Sequence, residues 1–396
     1  MSHRARRGGG RWGLAAVALL ALAGCQTPGH PPGMAMERDT ETVGHRGLDD
    51  ALAYARSAEF QGSGRTSLTA AVQALDRRRP VLAAEYHDHY EDHLLQLAVL
   101  DALQRDGQPL AVGVEWFQTD IQQHLDAYIA GRIDERALLA RTGYFERWGF
   151  DYRLYRPILR YARRHDIPVI ALNAPPAQVR RVSEGGFEAL PEAIRQRAGQ
   201  GPDDLPADYV ERLRAVFDRH PAASQFEHFL AVQLLWDETM AATAADYQRE
   251  HPDRRLLILA GRGHVLPAHT IPDRLARHTG RTPAGVAAMT EAGDTPNWVD
   301  VVLRPPALAL PAPGRLGVRL ATTDSGITVE SLADGGAAAA ADIPEGAVLI
   351  SVNNRTVSSV ADVKLALYGR APGETVQLTY RPAASEPIQT RRLRLR

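Results

Sequence analysis

Glu85 and His87 stand two apart, so an extended backbone turns both side chains the same way, and Glu115 and His264 offer a second carboxylate and a second imidazole. Such donors suit Zn, Mn, Co or Fe, either as a two-His, two-carboxylate set or as fewer ligands plus one general base acting on a bound water. Softer centres are ruled out, because Cys25 is the sole cysteine; no intramolecular disulfide can form either. His89 and His93 add an i, i+4 pair that suits a metal, but that first turn with Asp88, Glu91 and Asp92 equally complements a helix dipole. Read blandly, each of the four residues caps a helix or bonds a loop. The order HDHYEDH is not HExxH, no GxSxG or Walker A run occurs, and Gly261-Arg262-Gly263 is too short for a dinucleotide fingerprint.

Short apolar runs precede each of these residues. Val81–Ala84 leads into Glu85, Leu110–Val114 into Glu115, Pro168–Leu172 into Asn173, and Leu256–Ala260 into Gly261–His264. Unbroken runs of this length read as strands buried on both faces of a parallel sheet, and ligands of open α/β sheets sit outside the carboxyl ends of such strands. If the four strands are neighbours, the polar residues share one pocket. Leu94, Leu95, Leu97, Ala98, Leu100 and Leu103 then predict a helix after Glu85–His93. The aromatic segment Tyr144–Tyr152 reads as a pocket wall or a packing plug. Between Pro175 and Pro252 strand patterns vanish, which predicts a helical insertion over about 175–252 forming a cap.

With 396 residues the chain exceeds one usual domain, and its formal charge of -1 gives no electrostatic case for nucleic acid. Arg77-Arg78-Arg79 and the Arg391–Arg396 tail read as solvated surface. Residues 1–24 carry an arginine-rich n-region, the apolar run Trp12–Leu22 and a small-residue end, the pattern of a secretory signal. Leu22-Ala23-Gly24-Cys25 resembles a bacterial lipobox, which implies lipidation at Cys25, a membrane anchor, and the cell envelope of a Gram-negative bacterium, with Gln26 favouring the outer membrane. Residues 25–47 read as a flexible tether, 48–303 as the α/β domain, 304–314 as a proline-rich linker and 315–396 as a smaller β-rich domain.

That last region resembles a bacterial PDZ domain through Arg315-Leu316-Gly317-Val318, Gly335–Ala341, Glu345–Leu349 and Asn353–Val357, with Ala347 standing where an aspartate is common. The resemblance implies that Arg315, Leu316, Gly317 and Val318 offer backbone amides to a protein C-terminus, the peptide adding a strand to the sheet edge. Leu82–His93, Gly113-Val114-Glu115, Trp148-Gly149-Phe150, Ala171-Leu172-Asn173, Trp236–Ala241 and Gly261–His264 resemble the ChaN family of iron-regulated lipoproteins in the haem-binding-uptake and Tiki superfamily. Ala84 replaces that family's glycine in Gly-Glu-x-His. The resemblance implies haem at the polar edge, a homodimer around it and a role in iron uptake. It offers Tyr86, Tyr90, His87, Tyr152, Tyr155 and His264 as axial ligands, and Arg147, Arg153 and Arg156 for propionates. Distant superfamily members imply an alternative, a metal-dependent peptidase or esterase using Glu85, His87, Glu115 and His264. A third reading leaves the α/β domain structural and the PDZ unit as an adaptor.

Overall fold

The computed structural model describes residues 47–57, 61–62, 68–198, 201–219, 225–288, 298–305 and 307–396. The signal segment, Cys25 and all of the tether but Gly47 lie outside the described residues. Strands β1 (Gln61–Gly62), β2 (Val81–Glu85), β3 (Leu110–Gln118), β4 (Val169–Asn173), β5 (Arg255–Gly261), β6 (Ala284–Ala288) and β7 (Val299–Arg304) form one sheet, in the spatial order 1-7-6-2-5-3-4. Every pairing is parallel except β1 with β7. The four strands expected to be neighbours are adjacent, as β2-β5-β3-β4. All of β2, β3 and β5 is buried. Val81 and Ala83 point into one core cluster and Leu82 and Ala84 into the other, so two-sided burial explains why these strands lack an apolar/polar alternation.

Helices Leu48–Ser57, Tyr90–Arg105 and Tyr152–Arg164 contribute to the first cluster; Phe226–Glu250 and Ile271–Thr279 contribute to the second. Between β4 and β5 every regular element is helical among the described residues. The 25-residue helix Phe226–Glu250 does more than cap the edge: Val232, Trp236, Met240 and Ala244, each four apart, pack it down as a flanking layer. β3 runs past Glu115 to Gln118, farther than the apolar run suggested. β6 was not legible because Ala284, Gly285, Ala287 and Ala288 carry little apolar bulk. The small residue is needed at Gly285, where a Cβ would stand 2.8 Å from Trp298 Cε3.

A second, antiparallel sheet follows from β8 (Val318–Thr323), β9 (Gly326–Leu332), β10 (Val348–Val352), β11 (Arg355–Thr356), β12 (Thr375–Arg381) and β13 (Gln389–Arg394), ordered 13-12-10-9-8 with β11 on β10. Helix Val360–Leu367 begins in a capping box between Ser359 and Asp362. The carboxy-terminal arginines are exposed, as expected, and most of them stand on β13: Leu393 and Leu395 are buried while Arg392 and Arg394 face out, a period of two masked by charge. The units meet where Arg136 donates to the carbonyls of Leu365 and Tyr368 and the Tyr152 and Tyr368 rings lie 5.8 Å apart.

Candidate functional site

Parallel registry sets the site. Glu85 ends β2 directly opposite Gly261, the last residue of β5, and Glu115 lies in β3 on the other side of β5. The turn after β2 then returns His87, and the turn after β5 opens the short helix Arg262–Val265 that carries His264. Ligand atoms of Glu85, His87 and Glu115 lie within 4.8 Å of one another, and all three residues are buried. His264 closes the group, its Nε2 3.7 Å from Glu115 Oε1; His87 Nε2 is 4.0 Å from that same oxygen.

Behind each imidazole stands a carboxylate. Glu85 Oε1 is 2.6 Å from His87 Nδ1, and Asp237 Oδ1 is 2.6 Å from His264 Nδ1. Asp237 is itself held by the Tyr209 hydroxyl at 3.0 Å. With each carboxylate accepting from the Nδ1–H of its imidazole, a neutral ring would keep its lone pair on Nε2, the nitrogen turned toward Glu115. The second oxygen of Glu115 accepts the Gly261 N–H at 2.6 Å. Thus Glu85, expected as a direct ligand, also serves to orient His87. His93 Nε2 lies 3.7 Å from Glu85 Oε2 and 3.2 Å from the His87 carbonyl oxygen.

Gly261 is required by space, not by its backbone angle. A Cβ there would stand 2.6 Å from His87 Cε1, so only glycine lets the ring come this close to β5. Trp148 and Phe150 cover the other side of that ring, with centroids 5.2 and 4.6 Å away. The aromatic segment is therefore a wall of the site.

Burial alone would raise the Glu85 carboxyl, but the imidazoles of His87 and His93 outweigh it and hold it below the ordinary glutamate value. For His93 burial wins over Glu85, and the imidazole sits below its usual value. Asp92 accepts the Tyr86 N–H at 2.8 Å, yet its burial keeps the carboxyl well above the ordinary range.

The i, i+4 histidines divide: His93 joins the buried centre, while His89 stands at the N-cap position with no side-chain bond to the helix and its ring lies tilted against Tyr86, centroids 4.6 Å apart. Tyr86 is half-buried at the rim, with the Arg262 guanidinium 4.3 Å from its ring centroid. The other candidate tyrosines lie elsewhere. Tyr152 donates to Glu135 from inside the core, and Tyr155 packs under His93 and Trp116. Burial drives both hydroxyls well above the usual phenol value, and Tyr90 up to about 12. In this conformation Tyr90, Tyr152 and Tyr155 are all buried. Arg147 is held by Asp120, and Arg153 by Asp151 and the Pro311 carbonyl. Asn173 turns its Oδ1 to its neighbour's N–H.

The family model described as "Haem-binding uptake, Tiki superfamily, ChaN" matches residues 71–275, just over half of the chain. The chain belongs to the ChaN family. A PDZ domain model matches residues 314–383. Among solved structures, cofacial haem binding to ChaN of Campylobacter jejuni gives 16% identity and a TM-score of 0.47, covering 61% of this chain and 92% of that one. An erythromycin esterase mutant in its open conformation gives 13% identity and a TM-score of 0.35, covering 61% and 78%. RETICULATA-RELATED 5, a chloroplastic protein of Arabidopsis thaliana, is 27% identical over 112 residues, 27% of this chain and 15% of that protein's length.

In this ChaN-family chain polar groups gather at two depths. The buried carboxylate–imidazole set fits a divalent metal. At the rim the Tyr86 phenol stands beside the Arg262 guanidinium. No sequence pattern marks Asp237 or Tyr209; they come from the long helix and from helix Ala207–Phe217, and only packing brings them behind His264. In the PDZ unit Leu316, Gly317 and Val318 line a groove, but the Arg315 N–H donates to the Arg396 carbonyl, so this amide is already engaged.

Proposed function

We propose that this chain is a lipid-anchored haem- or iron-binding protein of the Gram-negative cell envelope, outer-membrane sorted, that acts in iron uptake as a homodimer around haem, while its PDZ unit binds a protein C-terminus. The observation that carries the reading is the rim: Tyr86 is the candidate tyrosine whose hydroxyl is not sealed in the core, and Arg262 and His89 flank it over the buried centre. Haem bound there would supply the iron. Tyr86 would hold the iron through its phenol, Arg262 would face a propionate, and the buried centre beneath would keep haem outside. Titration of the purified protein with haemin should give a Soret band that shifts or weakens in Tyr86→Phe. An unchanged spectrum in that variant rejects the assignment.

The two carboxylate–histidine pairs converging on Glu115 favour a second reading, a metal-dependent hydrolase of peptides or esters. A divalent ion held there would acidify a bound water. Glu85 and Asp237 fix the imidazole tautomers, and Glu115 is placed to take a proton. Metal-dependent ester or peptide cleavage that disappears in Glu115→Gln, with no Soret band, would select this reading.

A further inference from the structure

The PDZ groove does not open onto empty solvent. It forms a cleft of about 750 Å³ whose one wall is β8 and helix Val360–Leu367 and whose other wall is the aromatic segment of the α/β domain, through Phe145, Trp148, Phe150, Tyr152 and Arg153. That volume falls in the range of ligand pockets. The same Trp148 and Phe150 pack on His87, so a single loop touches both sites. At the loop end of the groove, Gly317 has φ +70, and a Cβ there would meet Gly336 Cα at 2.7 Å, which keeps the amide-bearing turn tight.

Charge in the cleft is one-sided. Arg153, Arg315, Arg319, Lys364 and Arg370 line it against one acid, Asp151, and Asp151 is taken by Arg153 at 2.6 Å. Arg370 pairs with Glu374, and Arg319 stands 3.9 Å from Glu330. Arg315 and Lys364 carry no ion pair among the described residues, so positive potential remains beside an apolar floor that includes Leu320, Val363 and Leu367. An extended peptide added along β8 would lay its side chains against Phe150 and Arg153.

We propose that the PDZ groove and the aromatic loop form one composite surface for an acidic protein C-terminus with an apolar last residue, and that filling it is coupled through Trp148 and Phe150 to the Glu85–His87–Glu115 centre. This deepens the peptide-binding reading above and rests on it. Coupling is reciprocal: a peptide that changes metal affinity must have its own affinity changed by metal by the same factor.

The test uses the full chain, fluorescence anisotropy and the probe fluorescein-GSGDEDEVAV, with a C-terminally amidated copy and a copy carrying lysine at every acidic position. The acidic free-acid probe should bind at least 5-fold more tightly than either copy, and Lys364→Glu should reverse the charge preference. Phe150→Ala, checked for folding by circular dichroism, should weaken probe binding several-fold. Saturating zinc should shift the probe affinity in the wild type by the factor by which saturating probe shifts zinc affinity. Equal probe affinity in wild type and Phe150→Ala, or zinc and probe indifferent to each other, overturns the composite surface while leaving simple PDZ binding intact. Failure of every free-acid probe to bind instead removes the peptide-binding reading itself.

Discussion

At the scale of single residues, the site depends on how closely imidazoles and carboxylates approach. Gly261→Ala places a methyl where His87 Cε1 lies, 2.6 Å from the new Cβ, so the ring must move away from Glu115. Zinc affinity measured by calorimetry should fall by at least about tenfold while the far-UV circular dichroism stays native. Glu85→Gln keeps the shape but removes the acceptor charge that fixes the His87 tautomer, and losses of about 10–100-fold in metal affinity are typical for such partners. A retained wild-type affinity would show that Glu85 does not orient His87. Glu85 and His87 were legible because two residues after an apolar run sit at a predictable place. His93 was marked by its i, i+4 spacing from His89, but Asp237 was not legible, because its distance to the site depends on helix packing rather than on sequence spacing.

At the scale of elements, Asp101 ties three helices together. Arg56 donates to both of its carboxylate oxygens at 3.0 and 2.6 Å, and the Tyr161 hydroxyl donates at 3.0 Å. Burial raises the carboxyl, but the Arg56 and Tyr161 hydrogen bonds overcome it and hold it below the ordinary aspartate value. A depressed carboxyl stabilises the fold above its unfolded value of 3.8 and loses that contribution as pH falls through its folded value. Asp101→Asn should therefore lower stability by about 1–2 kcal/mol at pH 7, since Arg56 is half exposed and solvent screens the pair. The gap from wild type, followed by urea unfolding, should narrow as pH falls below 3.8. A gap independent of pH would mean that shape rather than charge holds the junction.

At the scale of the whole molecule, the two units meet through a few specific bonds. Arg136 reaches from helix Glu135–Thr142 to the carbonyls at the end of the PDZ helix, and buried Leu308 follows the linker in, its N–H 3.4 Å from Glu91 Oε2. Arg136→Ala should loosen the PDZ unit without unfolding either part. Limited proteolysis should then cut near residues 307–313 faster, and the probe peptide should lose its sensitivity to zinc. If cutting and coupling stay as in the wild type, Arg136 does not hold the interface. The Tyr144–Tyr152 stretch read as either wall or plug in the sequence, and the fold makes it a wall shared by both sites.

The sequence by itself determined the strands that end in Glu85, Asn173 and Gly261, the helical stretch between β4 and β5, and the two families, because buried runs and turn residues leave local patterns. It also pointed to Glu85, His87, Glu115 and His264 as a set. Only the tertiary structure decided that β5 lies between β2 and β3, that Asp237 stands behind His264, that Tyr152 and Tyr155 are sealed away, and that the peptide groove faces the loop covering His87. Those relations join residues far apart in the chain, and no local spacing encodes a contact that packing alone creates.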